Sequence, residues 1–151
     1  MTREPDRKFH HSGFTLVELV TITVILGVIA AIAMPRFFER GGFDSRSFYD
    51  QVISTLRYAQ KAAVAQRRFV CVAFTANSVT LTTGATPACG TNLVGPTGTA
   101  PYQISSSTSS FAATPTPFNF DALGRASPPQ NITVSGYATT IAVEAETGYV
   151  H

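Results

Sequence analysis

Residues Phe14–Met34 read FTLVELVTITVILGVIAAIAM, and this stretch decides the architecture of the chain. Its 21 residues include a single charged side chain, that of Glu18. As an α-helix the stretch would be about 31 Å long, which matches the hydrocarbon core of a bilayer. Because it is apolar on all sides, the pattern favours a membrane-spanning and assembly helix over residues 14–34 rather than a buried core helix with one apolar face.

The 13 residues before this helix form a short leader with three basic and two acidic side chains. The positive-inside rule keeps such a flank in the cytoplasm, so residues 35–151 are predicted to form a periplasmic domain outside a bacterial inner membrane. An ordinary secretory signal has its small-residue cleavage site after the apolar stretch, whereas here Gly13 stands before it. Cleavage between Gly13 and Phe14 would remove the leader, residues 1–13, and leave the anchor on the mature protein.

The carboxylate of Glu18 is the anomaly of this helix. A charge at that depth costs about 2–3 kcal/mol or more and usually has a partner. Cleavage after Gly13 would create one, the α-amino group of Phe14, either in the same subunit or in a neighbour. The alternative is a Glu18 side chain that snorkels to the interface or stays protonated and has no role in assembly.

The run Gly13-Phe14-Thr15-Leu16-Val17-Glu18, followed by apolar residues up to Pro35, resembles the prepilin signature of type IV pilins and type II secretion pseudopilins. This resemblance implies that a prepilin peptidase cuts after Gly13 and N-methylates Phe14. It also implies that Glu18 pairs with the N-terminal amine of an adjacent subunit as a filament grows.

A second, amphipathic helix is predicted from Asp44 to Arg68 by apolar side chains that recur with the helical period. Proline removes a helical hydrogen bond, so a kink or local break is expected near Ala31–Pro35, and Gly41-Gly42 should loosen the chain again. One face of this helix should cover a sheet, and it collects Phe48, Tyr49, Val52, Leu56, Ala59 and Ala63.

The opposite face of the second helix carries Arg57, Lys61 and Arg68. Three cations in line are compatible with weak contact to DNA or to another partner. A solvated helix face is the more ordinary interpretation, because Asp50 shares the stripe and Val64 interrupts it. The net charge of +2 also gives no general attraction to nucleic acid.

After Arg68 the apolar period changes to two, which is typical of strands. Phe69–Thr75 and Ser78–Thr83 predict a hairpin around Ala76-Asn77. Val70, Val72 and Phe74 should share one face with Val79 and Leu81. Further short strands are predicted at Phe118–Phe120, Ile132–Ser135 and Thr139–Ala145, the last turning through Thr147-Gly148 into Tyr149-Val150.

Residues 82–117 are rich in Ser, Thr, Gly and Pro and predict a long surface loop. Cys89 lies in this loop, and Cys71 lies in the first strand. An even cysteine count in an oxidising compartment favours a disulfide between them, which would contribute about 3 kcal/mol to stability. The alternative is a pair of buried free thiols.

The stretch Phe69–Leu81 and the ending ETGYV resemble the GspH/FimT group of minor pilins and pseudopilins, with the nearest similarity to a minor pilin of mannose-sensitive haemagglutinin (MSHA) type pili. The implied fold is α+β and pilin-like: a long N-terminal helix, spanning the membrane in its first half and amphipathic in its second, packed on a small antiparallel sheet. Certain members of the group bind DNA through a basic C-terminal region. The last twenty residues here contain no Lys or Arg, so nucleic acid is not expected to be a partner.

Enzyme motifs are absent from the sequence. His10 and His11 lie in the leader and His151 is the last residue, so the three histidines predict no catalytic or metal cluster. There is no phosphate-binding glycine loop and no nucleophile elbow, and no cofactor is expected. The sequence therefore predicts a minor structural subunit of a type IV pilus or a type II secretion pseudopilus that helps to start assembly at or near the tip. Its expected partners are the prepilin peptidase, other pilins or pseudopilins and the inner membrane. The alternative function is a tip module that binds a surface, a secreted substrate or DNA.

Overall fold

Two helices begin the part of the chain that this computed structural model describes, residues 14–38 and 40–151. Helix α1 spans Leu16–Phe38 and helix α2 spans Arg40–Gln66. The predicted leader, including Gly13, lies outside the described residues. Of the kink or break predicted near Ala31–Pro35, the break is not found, because α1 continues to Phe38, and the kink stays a prediction. Each added residue of a helix contributes a further hydrogen bond, so the loss of one N–H donor did not end it.

No helix within the described residues combines the length and the apolar character that crossing a bilayer requires.

The chain divides after Phe38 into two units, and the second unit contains α2 and the whole sheet. Helix α2 starts four residues before the predicted Asp44 and includes Gly41-Gly42. Its predicted sheet-facing side is confirmed, since all six side chains are buried: Phe48, Tyr49, Val52, Leu56, Ala59 and Ala63. This side packs on a sheet, as the amphipathic pattern requires.

The main sheet is antiparallel, and its strands lie in the order β3-β2-β1-β5-β6, with β4 also paired to β2. The predicted hairpin is confirmed as β1 against β2, in a register that places Val72 opposite Leu81. The bounds are β1 Phe69–Phe74, β2 Ser78–Gly84, β3 Thr91–Asn92, β4 Tyr102–Ser105, β5 Phe118–Phe120 and β6 Ala126–Ser127.

Residues 82–117 do not form one continuous loop, because they contain strands β3 and β4. Both strands add to the free edge of β2: Thr82 pairs with Asn92, and Val79 pairs with Ile104. Phe111 then inserts into the core against the ring of Phe48, with ring centres 5.1 Å apart. The segment is therefore attached to β2 at two places and to α2 in the core at a third.

A second sheet pairs β7 (Gln130–Thr133) with β8 (Thr140–Val143). The predicted strand Ile132–Ser135 lies two residues later than β7, and the predicted Thr139–Ala145 extends beyond β8 by one residue at its start and two at its end, which is the usual uncertainty of strand ends. Val150 forms a bridge with Val143, as the predicted return of the chain requires. The fold is thus α+β and pilin-like, with an N-terminal helical segment and an antiparallel sheet domain whose core lies between α2 and the two sheets.

Candidate assembly and interaction site

Helix α1 exposes apolar side chains in every direction. Large side chains from Leu16 to Ile29 are exposed, from 41% for Ile22 to 80% for Leu16. Phe14, the predicted first residue of the mature chain, is 71% exposed. An apolar surface of this extent is typical of a segment that lipid or another protein chain covers.

Glu18 lies in the first turn of α1, where the helix dipole favours a carboxylate. Its backbone N–H donates to the Thr15 hydroxyl at 3.3 Å, which helps to cap the helix. Within the described residues its side chain forms no ion pair. Cleavage at Gly13, methylation of Phe14 and pairing through Glu18 stay predictions.

Cys71 and Cys89 form a disulfide, so the predicted bond is confirmed and the alternative of two free thiols is wrong. The bond ties β1 to the turn between β2 and β3. A methyl group at Gly84 would lie 2.8 Å from the Cα of Cys89, closer than real side chains approach. Gly84 is therefore needed for the backbone to pass the disulfide.

The three predicted contact cations, Arg57, Lys61 and Arg68, do not form one helical stripe. The Arg57 guanidinium donates to the Val150 carbonyl from Nε at 3.2 Å and from Nη2 at 2.9 Å, so this side chain is engaged within the fold. Lys61 is exposed on α2. Arg68 is also exposed, but it lies beyond the end of the helix at Gln66.

The early end of α2 has a local cause at Arg67, whose φ of 52° lies in the left-handed region. The Arg67 N–H donates to the Val64 carbonyl at 3.3 Å, and the Arg68 N–H donates to the Ala63 carbonyl at 3.2 Å. This pair of bonds is the Schellman motif, in which glycine is the usual left-handed residue. Helix α2 consequently ends two residues before the predicted Arg68.

Sequence reasoning missed the anchoring role of polar side chains on α2. The Tyr58 hydroxyl donates to the Val94 carbonyl at 2.7 Å. The Gln60 amide donates to the Gly124 carbonyl at 3.2 Å and to the Thr147 carbonyl at 2.7 Å. Together with Arg57, these residues attach three separate loops to the helix. No sequence signal marks them, because their partners are backbone carbonyls far along the chain.

The tip of the hairpin between β5 and β6 is held by hydrogen bonds to one carboxylate. The Asp121 carboxylate accepts from the Leu123 N–H at 2.8 Å and the Arg125 N–H at 2.9 Å, and it pairs with Arg125 Nε at 3.1 Å. Burial raises the pKa of Asp121, but the two N–H groups and the Arg125 guanidinium outweigh this effect, so its pKa is lowered overall. The carboxylate thus holds the turn while ionised.

No group of three or more His, Cys, Asp and Glu side chains within residues 14–38 and 40–151 is arranged to hold a metal ion.

Comparison with known proteins gives two family matches. Residues 49–147 match the family described as Type II transport protein GspH, and residues 8–34 match the prokaryotic N-terminal methylation motif. The chain is 36% identical over 56 residues to the type IV narrow pilus major component PilA5 of Thermus thermophilus, an alignment that covers 37% of this chain and 48% of the relative. The match thus extends over about half the length of that curated relative. No solved structure matches the chain.

Proposed function

This chain belongs to the type II transport protein GspH family and is a structural subunit of the type IV pilin and pseudopilin kind, and from this premise we propose that it is a minor subunit acting at the start or tip of its filament. The filament is either a type IV pilus or a type II secretion pseudopilus. The finer resemblance to an MSHA-type minor pilin stays a prediction.

The observation that supports assembly into a filament is the combination of the methylation motif over residues 8–34 with the exposed apolar surface of α1. A lone subunit leaves this surface in water, which is unfavourable in proportion to its area. In the proposed life cycle, lipid covers it before assembly and the helices of neighbouring subunits cover it afterwards. The same segment thus serves first as an anchor and then as the filament contact.

Proteins of this family are anchored in the membrane by an N-terminal segment. For this chain we propose a single pass through the inner membrane over residues 14–34, with the N-terminus in the cytoplasm and the domain in the periplasm. The prepilin peptidase would cut between Gly13 and Phe14, and the freed amine of Phe14 would be methylated. Other pilins of the same filament are the remaining proposed partners.

Catalysis has no part in this proposal, and neither has a cofactor, since the sequence lacks catalytic motifs. Nucleic acid is not among the proposed partners. The Arg57 guanidinium is engaged with the Val150 carbonyl, and few other cations are exposed on this face of α2. Three phosphate contacts at most would give weak, salt-sensitive binding. The PilA5 relative is described as a major component, so abundance in sheared filaments is the measurement that separates a minor from a major role.

The test of the proposal uses Glu18→Ala in the full-length chain, with Glu144→Ala, an exposed acidic change in the sheet domain, as the matched control. We expect the Glu18 variant to enter the membrane and to be processed to a methylated Phe14, but to be depleted from sheared filaments. The control should behave like wild type. Mass spectrometry of the N-terminal peptide and quantification of the filament fraction provide the two readouts.

Two outcomes would contradict the proposal. A wild-type chain that keeps its leader, or that is missing from purified filaments, would contradict the assignment as a filament subunit. Normal incorporation of the Glu18→Ala variant would contradict the pairing of this carboxylate with a neighbouring amine and leave the family assignment intact.

A further inference from the structure

We propose that the outer face of the main sheet, the face turned away from α2, carries a binding site for a neutral saccharide. Two cavities of about 450 and 300 Å³ lie side by side there, since Pro87 and Asn119 line both of them. Sites for small molecules are typically about 300–1,000 Å³ in volume, so each cavity is large enough for one. We call the two cavities together the sheet groove. This inference is independent of the filament role proposed above.

The floor of the sheet groove is set by the register of three strands. Asn119 on β5 pairs with Cys71 on β1 and with Ser127 on β6. Residues that pair in register carry their side chains on the same face of a sheet, and neighbours along a strand alternate between faces. Because Phe118 and Phe120 are buried in the core, Asn119 and its two partners point to the outer face.

Two loops border the sheet groove. The disulfide that joins Cys89 to β1 keeps Pro87 close to the sheet, where it lines both cavities. In the second loop, the Ala145 carbonyl accepts a hydrogen bond from the Ala126 N–H at 2.9 Å, and the next residue, Glu146, lines the larger cavity. The borders of the groove are therefore fixed to the sheet by a covalent bond and by a hydrogen bond.

The larger cavity is about half polar. Five of its ten lining residues are polar or charged, namely Asn119, Asp121, Arg125, Ser127 and Glu146. Among the described residues, 14–38 and 40–151, no protein group forms a hydrogen bond with the side chains of Asn119, Ser127 or Glu146. Arg125 donates from Nε to Asp121 at 3.1 Å, and its two terminal nitrogens have no partner in that part of the chain either. An apolar ligand would take these groups out of water without replacing their hydrogen bonds, which is unfavourable.

The unpaired groups of the larger cavity include both donors and acceptors. Asn119 offers two N–H donors and a carbonyl acceptor, Glu146 offers two acceptor oxygens, and Arg125 offers its terminal donors. A sugar hydroxyl both donates and accepts, so neighbouring ring hydroxyls can pair with an amide, a carboxylate or a guanidinium. The part-buried ring of Phe69 and the ring of Pro87 line the same cavity and suit the C–H face of a sugar.

The charges around the sheet groove favour a neutral ligand over an ionic one. An anion, nucleic acid included, would meet the carboxylates of Asp121 and Glu146 beside a guanidinium that Asp121 already pairs. A cation would meet the Arg125 guanidinium and leave its donors unused. The nine residues that line the smaller cavity include no charged side chain, and neither does the whole stretch 69–120.

An extended peptide fits the sheet groove less well than a saccharide. Peptides that bind to sheets gain affinity from backbone hydrogen bonds along a free strand edge. Strand β1 is paired on both sides, with β2 and β5, and β5 is paired with β1 and β6. The floor of the groove therefore offers side chains and no free strand edge.

The first experiment measures binding by the full-length chain in lipid nanodiscs, which avoid sugar-based detergents. The probes are cellobiose, lactose and the other neutral disaccharides of an immobilised array. Digalacturonic acid, the diamine chitobiose and tetra-alanine serve as anionic, cationic and peptide controls. We expect at least one neutral disaccharide to bind with a Kd of about 1 mM or lower and each control to bind at least about tenfold more weakly. Failure of every neutral disaccharide to bind, or equal binding of any control, would overturn the proposal.

The second experiment tests the location of the site with matched variants. Asn119→Ala should weaken binding of the retained disaccharide about threefold to tenfold, since it removes hydrogen bonds to a neutral amide. Asn92→Ala, which removes an exposed amide from the same face of the sheet outside the groove, should bind like wild type. Glu146→Ala should weaken binding about tenfold or more, whereas Glu144→Ala, an exposed carboxylate that does not line the groove, should not.

Melting temperatures separate lost binding from lost folding. Glu146 is exposed and its side chain has no hydrogen-bond partner in the described part of the chain, so its variant should melt like wild type. If wild type binds a disaccharide and the Glu146 and Asn119 variants bind it equally well, the ligand lies elsewhere and the sheet groove is overturned. If wild type enters filaments but binds no disaccharide, the saccharide site is overturned and the proposed function stands.

Discussion

Removal of the disulfide is the perturbation whose size the structure defines best. Cys71 and Cys89 are 18 residues apart, and closing a loop of that length restricts the unfolded chain by about 3 kcal/mol. Few native contacts should be lost in addition, because Thr82 and Thr83 still pair with β3. We therefore expect the Cys71→Ser/Cys89→Ser variant to lose about 3 kcal/mol of unfolding free energy.

The assay is urea unfolding of the second unit, residues 39–151, followed by circular dichroism. With a typical urea dependence of about 1–3 kcal/mol/M, the loss should lower the unfolding midpoint by about 1–3 M. Wild type in the presence of a reductant is the matched control, since it keeps both sulfur atoms and lacks only the bond. The double variant and reduced wild type, which both lack the bond, should unfold at the same urea concentration.

Two results would refute this reasoning. If the double variant unfolds at the midpoint of oxidised wild type, the disulfide does not restrict the unfolded chain as calculated. If the variant is much less stable than reduced wild type, the loss comes from the serine side chains in the folded state and not from loop closure.

Three further predictions concern the contacts that support the candidate site. Arg57→Ala should destabilise the domain by about 1–3 kcal/mol, because it removes two hydrogen bonds from a charged donor, whereas Lys61→Ala should change stability by less than about 0.5 kcal/mol in the same urea assay. Gly148→Ala should cost more than Gly98→Ala in thermal unfolding: both residues have positive φ, but only at Gly148 would a methyl group meet a backbone carbonyl oxygen. The pKa of Asp121 is lower in the folded protein than its ordinary value of about 4, so the ionised carboxylate stabilises the fold at any pH above that ordinary value. This stabilisation is lost as the pH falls through the pKa of the folded state. Asp121→Asn should therefore be less stable than wild type at neutral pH and should approach wild type in acid. Equal stability within any of these pairs at neutral pH would contradict the corresponding contact.

Periodicity predicted the parts of the fold in which burial repeats along the chain. The sheet-facing side of α2, from Phe48 to Ala63, follows the helical period and is buried. Strands β1 and β2 alternate with period two, and β5 was predicted at its observed bounds, Phe118–Phe120. In each case a local pattern and the final environment agree, which is the condition for reading structure from sequence.

The remaining elements depend on partners that sequence does not reveal. Strands β3 and β6 have two residues each, too few to display a period, and β4 lies among Ser and Thr residues that suggest a loop. The end of α2 at Gln66 depends on Arg67, where sequence rules expect glycine. The same limitation applies to the site. Phe14, Glu18 and the cysteines were predicted from motifs and composition. The clamp, by which we mean the hydrogen bonds of Arg57, Tyr58 and Gln60 on α2, depends on carbonyl partners that only folding brings close.

The clamp on α2 also determines when the domain can finish folding during synthesis. The hydrogen bonds of Tyr58, Gln60 and Arg57 reach across 36, 87 and 93 residues. At about 5–20 residues per second, the ribosome needs about 5–20 s to extend the chain from Arg57 to Val150. Until then the apolar face of α2 has an incomplete cover, since contacts of high contact order form late. The apolar face of α2 is therefore fully covered only when nearly the whole domain is available, on whichever side of the membrane the domain folds.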